Sequence, residues 1–233
     1  MRILGLIPAR GGSKGVVRKN LKPLNGIPLI AYTIEQALSS SLLDRVVVST
    51  EDEEIATKSK DLGADVPFMR PLELAQDESP TIDTILHALQ YFKEKGENFD
   101  AVCLLQPTVP FRKAGSIELA IQQFVSTDAD SLISVQEIPH QFNPNWAFIQ
   151  GKNKQYLTLA NGEDKIISRR QELPKAFYRD GAIYITKSEV LLENISLYGE
   201  RITYLENNGK PLINIDTEED WALAEQYISD HGS

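Results

Sequence analysis

The sequence predicts an α/β protein of three layers, with helices on both faces of a mainly parallel sheet. Three observations carry this expectation. Short apolar or β-branched runs alternate with stretches of helical periodicity along most of the chain. The runs are short and continuously apolar, as strands covered on both faces are. The two loops of unusual composition, residues 9–20 and 106–113, each follow such a run, and open parallel sheets bind ligands beyond the carboxyl ends of their strands.

The elements are expected in this order. "RILGLIP" (2–8) is a buried strand, and "IPLIAYTIEQALSS" (27–40) is a helix with Leu29, Ile30, Ile34, Ala37 and Leu38 on one face. "DRVVVST" (44–50) is a strand, and "DEEIATKSKDLGA" (52–64) is a helix closed near Gly63. "SPTIDTILHALQYFKEKG" (79–96) is a long helix with Ser79 as N-cap, Pro80 as first residue and Gly96 as stop. "AVCLLQP" (101–107) is a strand, residues 115–126 form a helix, and "SLISVQEI" (131–138) is a strand. The rhythm breaks over 139–180, which carries turns, aromatics and basic residues but no long helical pattern. It resumes with a strand in "AIYIT" (182–186), a short helix opened by a Thr186–Glu189 capping box, and strands in "ITYLE" (202–206) and "LINID" (212–216). A terminal helix, "TEEDWALAEQYI", follows, with Asp216 and Glu219 in N-capping positions. The 233 residues are read as a single domain, 1–233, with 139–180 as an inserted subdomain.

Hydrophobic content of 42% and charged content of 24% suit a soluble globular chain with ample core. No apolar run is long enough to span a membrane, the N-terminal apolar segment is too short for a signal peptide, and a cytoplasmic protein is expected. The single cysteine, Cys103, lies in an apolar run and reads as a buried thiol, and the three histidines make no zinc pattern. A formal charge of −9 argues against nucleic-acid binding.

Against that acidic background the first loop, "ARGGSKGVVRKN", stands out. Arg10, Lys14, Arg18 and Lys19 are interleaved with Gly11, Gly12, Ser13 and Gly15. Glycines allow successive backbone N–H groups to face one point, and the cations favour an anion there. The order of residues is neither the Walker A pattern nor G-x-G-x-x-G. Charge and glycine alone leave two readings, a phosphate cradle or a solvated basic loop. A dinucleotide-dependent oxidoreductase would also begin strand–glycine loop–helix. Glu51 could serve as its ribose-binding acid, but the glycine pattern fails.

"IPARGGSKGVVRKNLKPLNGIPLI" resembles the N-terminal signature of the CMP-sialic acid synthetases (acylneuraminate cytidylyltransferases), which have a nucleotide-sugar pyrophosphorylase-like fold. "VVVSTEDEEIA", "RPLELAQDESPT", "LLQPTVPFR", "RRQELPKAFYRDGAIYIT" and "INIDTEEDW" follow in family order, so the resemblance runs from residue 3 to about 225. It implies transfer of CMP from CTP to the anomeric hydroxyl of a sialic-acid-like nine-carbon 2-keto-3-deoxy sugar acid, with release of pyrophosphate. Legionaminic or pseudaminic acid, with CTP or GTP, is the alternative within the class.

By resemblance, Arg10, Lys14 and Lys19 hold the triphosphate with the backbone of Gly11, Gly12 and Ser13. Asn20 and Arg70 meet the base and Thr81 the nucleotide, while Gln106, Arg170 and Tyr184 take the sugar. The competing readings are a turn residue for Asn20, a surface ion pair for Arg70, a helix-end hydroxyl for Thr81, and core for Tyr184. Asp216 and Asn214 stand two apart, on one face if extended, and are the implied ligands of Mg²⁺, with Mn²⁺ as an alternative. Many family members have two aspartates here, so Asn214 costs the site a charge. Asp180 stands where an asparagine is more usual. The insertion, with Phe142, Trp146, Phe148, Phe177 and Tyr178, implies a homodimer. Arg10, Lys19 and Asp216 are expected to be catalytic.

Overall fold

A computed structural model of the chain describes residues 1–208 and 212–231. β1 (Ile3–Pro8) leads through the first loop to a small ribbon, β2 (Pro23–Leu24) with β3 (Ile27–Pro28), and into α1 (Leu29–Leu38). Next come β4 (Arg45–Ser49), α2 (Glu53–Asp61), α3 (Thr81–Glu94), β5 (Ala101–Leu105), α4 (Ser116–Thr127) and β6 (Ser131–Glu137). A second ribbon, β7 (Phe148–Gln150) with β8 (Leu157–Leu159), precedes β9 (Phe177–Lys187), α5 (Ser188–Glu193), β10 (Ile202–Glu206) and α6 (Glu218–His231).

Six strands form one sheet in the order β10-β6-β9-β5-β1-β4. All neighbours are parallel except β9, which runs antiparallel to both β5 and β6. Side chains alternate across this sheet with period two. Leu4 and Leu6 of β1 join Ile85, Leu89 and Phe92 of α3 on one face. Ile3 and Ile7 join Ile30 and Ile34 of α1 and Ile117 and Phe124 of α4 on the other. These two faces make the expected three layers. Each large side chain buried this way contributes about 1.5–3 kcal/mol. Cys103 is fully buried in β5, and burial pushes its thiol up to about 12. Among the described residues no helix is long and apolar enough to cross a membrane.

β1 has β4 on one side and β5 on the other, so the chain reverses its winding direction there. The crevice at such a switch point is where doubly wound sheets receive ligands. A third cluster sits at this end: Val16 of the first loop packs with Leu24, Leu29, Ile215, Trp221 and Ala224. It fastens the first loop and α6 to the body of the sheet.

Several local expectations are corrected. Residues 212–216 are not a strand; the Ile215 N–H donates to the Thr108 carbonyl at 2.8 Å, without a ladder. The apolar alternation of Ile213 and Ile215 comes from packing into the third cluster rather than from sheet pairing. Ser79 does not cap α3. Its hydroxyl donates to the Glu73 carbonyl at 2.8 Å and accepts from the Gln76 N–H at 3.2 Å, and Pro80 takes the N-cap position. Thr186 does not cap α5, because its hydroxyl donates to the Leu197 carbonyl at 2.7 Å.

The strand expected over 182–186 extends over Phe177–Lys187 and has a register irregularity opposite Ile133 and Val135. Asp180 serves that irregularity. Its Oδ1 accepts from the Ser134 hydroxyl and from the Ala182 N–H, and its Oδ2 accepts from the Asn207 amide. The carboxylate at this position therefore shapes the backbone of β9.

Candidate active site

A cavity of about 480 Å³ opens beyond the ends of β1 and β5. It is lined by Arg10, Ser13, Lys14, Lys19, Asn20, Arg70, Thr81, Gln106 and Asp216, nine of the residues that the sequence points to. The volume suits a small-molecule ligand.

Three consecutive residues after β4 organise one wall. The Thr50 carbonyl accepts from the Arg70 N–H at 2.8 Å. Glu51 accepts from the Gly11 N–H at 2.7 Å through Oε1 and from Arg70 Nη2 at 2.7 Å through Oε2. Asp52 caps α2 by accepting from the N–H groups of Glu54 and Ile55, and it also binds the Arg18 guanidinium. Burial works against the Asp52 charge, but Arg18 and the two helix N–H groups outweigh it and hold its carboxyl below the usual range. Arg18 has φ +53° and reaches both Asp52 and Glu54. It is thus a clamp from the loop to α2.

The loop's other cations are also paired. Arg10 meets Asp77 at 2.7 Å, and Lys14 meets the other oxygen of the same carboxylate. The Lys14 hydrogen bond, followed by Arg10, holds the Asp77 carboxyl below its ordinary range. Lys19 is mostly buried and donates to the Ile215 carbonyl at 2.6 Å and to Asp216 Oδ1 at 3.1 Å. So the basic loop is neutralised within the chain, by Asp52, Glu54, Asp77 and Asp216. The sequence makes the cations conspicuous and leaves their counter-charges scattered over 160 residues.

Gly15 lies against the backbone carbonyl of Asp216, with no room for a Cβ. The loop and the 213–217 segment touch there backbone to backbone. Asp216 is freed from capping α6, because Thr217 and Asp220 form the cap one residue later. Thr217 Oγ1 accepts from the Asp220 N–H at 3.2 Å, and Asp220 Oδ2 accepts from the Thr217 N–H at 2.8 Å. The expected Asp216–Glu219 capping pair is therefore replaced by Thr217–Asp220. Asn214 donates its amide to Asp216 Oδ2 at 2.6 Å. The amide oxygen, the atom that could ligate a metal, thus faces away from that carboxylate.

Gln106 is held from below by Arg112. Arg112 is fully buried and donates to the carbonyls of Gln106, Val109 and Ala182 and to the Thr33 hydroxyl. Burial lowers its pKa to about 10, and its hydrogen bonds go to neutral oxygens. Asn20 is buried and donates to the Arg10 carbonyl at 2.9 Å, closing the first loop on itself.

Two expected sugar contacts are not brought to this cavity. Arg170 is exposed on a short 3-10 turn and lines a separate cleft with Glu137, His140 and Pro174. Tyr184 points to the α3 face of β9, 6% exposed, and burial raises its phenol pKa. It is a core residue within the single chain. Sequence reasoning missed Asp77 and Glu51. Asp77 lies inside the segment "RPLELAQDESPT", and the loop cations Arg10 and Lys14, needing a counter-charge, are the signal that could have found it. The sequence offers Glu51 only as the ribose acid of a rival fold.

By this geometry the chain is an α/β protein with a cavity lined by basic residues at the switch point of its sheet. It belongs to the cytidylyltransferase family, whose description matches residues 4–225. It is 38% identical to CMP-N,N'-diacetyllegionaminic acid synthase of Legionella pneumophila subsp. pneumophila over 98% of this chain and 97% of that one. It is 32% identical to pseudaminic acid cytidylyltransferase of Campylobacter jejuni subsp. jejuni, over 96% and 95% of the two chains. N-acylneuraminate cytidylyltransferase A of Danio rerio is 33% identical over 97% of this chain and 50% of that one. In fold the chain matches CMP:2-keto-3-deoxy-manno-octonic acid synthetase solved with CTP, at a TM-score of 0.72 and 17% identity, over 99% of both chains. The expected nucleotide-sugar pyrophosphorylase-like architecture is thereby borne out.

Proposed function

We propose that the chain transfers CMP from CTP to the anomeric hydroxyl of a nine-carbon 2-keto-3-deoxy sugar acid and releases pyrophosphate. The observation that carries this reading is the convergence of Arg10, Lys14, Lys19, Arg70 and Asp216 on one cavity beyond β1 and β5. Similarity over 96–98% of this chain to enzymes named for legionaminic, pseudaminic and acylneuraminic acids supports the sugar class. N,N'-diacetyllegionaminic acid is the first acceptor to test. Pyrophosphate release from CTP, and separately from GTP, is measured with Mg²⁺ against a panel of these acids. Turnover with CTP and one of them is expected; no turnover with any pair overturns the reading.

In the reaction the anomeric oxygen bonds to the α-phosphorus as the bond to pyrophosphate breaks, and the hydroxyl proton is released. Arg10, Lys14 and Lys19 would neutralise the triphosphate, with the N–H groups of Gly12 and Ser13 near it, while the Gly11 N–H stays with Glu51. Arg70 and Asn20 would read the base, Thr81 would contact the nucleotide, and Gln106 would orient the sugar. Among the described residues no cluster of three or more His, Cys, Asp or Glu side chains could hold a metal alone. Mg²⁺ is bound in nucleotide sites by one or two carboxylates plus substrate phosphates, and Asp216 fits that pattern. Bound there, the ion would neutralise charge on the α-phosphate. Asn214 would orient the carboxylate or, with its amide turned over, contribute its oxygen.

Asp77 occupies the cations that the triphosphate would use, so Asp77→Asn is expected to tighten CTP binding by about two- to fivefold, as the loss of an exposed ion pair allows. Titration calorimetry checks this; unchanged or weaker binding counts against a shared site. We also propose a homodimer. The 139–176 segment exposes Phe142, Phe148, Ile149, Tyr156 and Leu157, and exposed apolar side chains gathered in one segment suit an interface. Light scattering tests it, and a monomer at micromolar concentration would overturn it.

A further inference from the structure

Glu51 is the junction of the two halves of the nucleotide site. Its two carboxylate oxygens have different clients: Oε1 accepts from the Gly11 N–H in the first loop, and Oε2 accepts from Arg70 Nη2. Both ends of the Arg70 pair are sequestered, with side chains 4% and 11% exposed. Arg70 has few other restraints. Nη1 makes a long contact of 3.3 Å to the Thr84 hydroxyl, and Nε has no hydrogen-bond partner among the described residues. Among its hydrogen bonds, the short one to the Glu51 carboxylate is the main restraint on the plane of the guanidinium.

We propose that Glu51 is a positioning residue for base selection: it orients Arg70 and couples that orientation to the Gly11 turn of the first loop. The inference rests on the reading of Arg70 as the base contact. Arginine only donates hydrogen bonds. Cytosine offers it the N3 and O2 acceptors, whereas uracil presents an N3–H donor in place of one of them. A correctly placed Arg70 therefore favours CTP over UTP, and a displaced one loses that preference.

The test uses Glu51→Gln, which keeps the shape of the side chain. An amide has one acceptor oxygen, so it can serve Gly11 or Arg70 but puts an NH₂ group against the other donor. The kcat/KM values for CTP and UTP are measured with a fixed acceptor, for wild type, Glu51→Gln, Arg70→Ala and the double variant, well below each Tm. The CTP:UTP ratio of kcat/KM is expected to fall about tenfold, as loss of a buried charge-assisted contact allows, with most of the loss for CTP in KM and its kcat within about threefold. Adding Glu51→Gln to Arg70→Ala is expected to lower the ratio no further. A lowered Tm with an unchanged ratio, or additive effects on the ratio, overturns the proposal and leaves Glu51 a structural buttress. A wild-type chain that turns over CTP and UTP equally overturns the base-reading role of Arg70, and Glu51 with it.

Discussion

Replacing Asp216 with alanine is expected to lower turnover of CTP by about 10²- to 10³-fold, the size of loss seen when one preorganised charge is removed from a reacting centre. Asp216 lines the cavity and receives Lys19 at 3.1 Å and Asn214 at 2.6 Å, so its charge is set beside the first loop by two other side chains. Its side chain is 60% exposed, and α6 is capped by Thr217 and Asp220 instead. Stability should therefore change by only about 1 kcal/mol or less. Asp216→Asn separates charge from shape and is expected to be nearly as inactive. Pyrophosphate release and thermal melts on the same samples check both parts. Turnover within about threefold of wild type would remove Asp216 from the catalytic set and, with it, the proposed Mg²⁺ ligand.

Gly15→Ala is the second large effect. Its Cβ would collide with the Asp216 backbone carbonyl, and a backbone atom cannot swing aside as a flexible side chain can. The 213–217 segment must shift, carrying Asp216 away from Lys19. The expected costs are about 1–3 kcal/mol of stability, typical of overpacking, and about 10²-fold in turnover, as for a misplacement of about 1 Å. Gly12→Ala is the control, because among the described residues no atom beyond its chain neighbours lies within 4 Å of the added carbon. Its stability should stay within about 0.5 kcal/mol of wild type. Equal destabilisation by both would point to loop flexibility rather than to the close approach at Gly15.

The sequence made the layers legible because strand and helix periods differ and the sheet is covered on both faces. It misplaced elements where apolar alternation had another cause, as at Ile213 and Ile215, which pack between loops without pairing as a strand. Capping patterns failed in the same way. Thr186 and Asp216 each have a glutamate three positions on, and Ser79 precedes a proline, but other contacts claimed the two hydroxyls, and the cap before α6 formed one residue later. The first loop's share of the cavity was legible through its cations, whereas Asn20, Arg70, Thr81, Gln106 and Asp216 were reached through the family resemblance. The parts legible in neither way depend on distance along the chain. Asp77 lies over sixty residues from the lysine and arginine it holds, and Tyr184 faces its strand's core side by a register that only the sheet fixes.

The contact of Asp77 with Arg10 and Lys14 bears on kinetics as well as on affinity. In the proposed reaction a triphosphate does not fall onto bare cations; it exchanges with a resident anion that stays tethered nearby. Net charge in the loop then changes less on binding than three uncompensated cations would suggest, so capture is less sensitive to ionic strength. The tether also acts at the end of the cycle. As pyrophosphate departs, Asp77 would recapture Arg10 and Lys14 as an intramolecular partner, at an effective concentration set by its tether, and this would oppose rebinding of the leaving product.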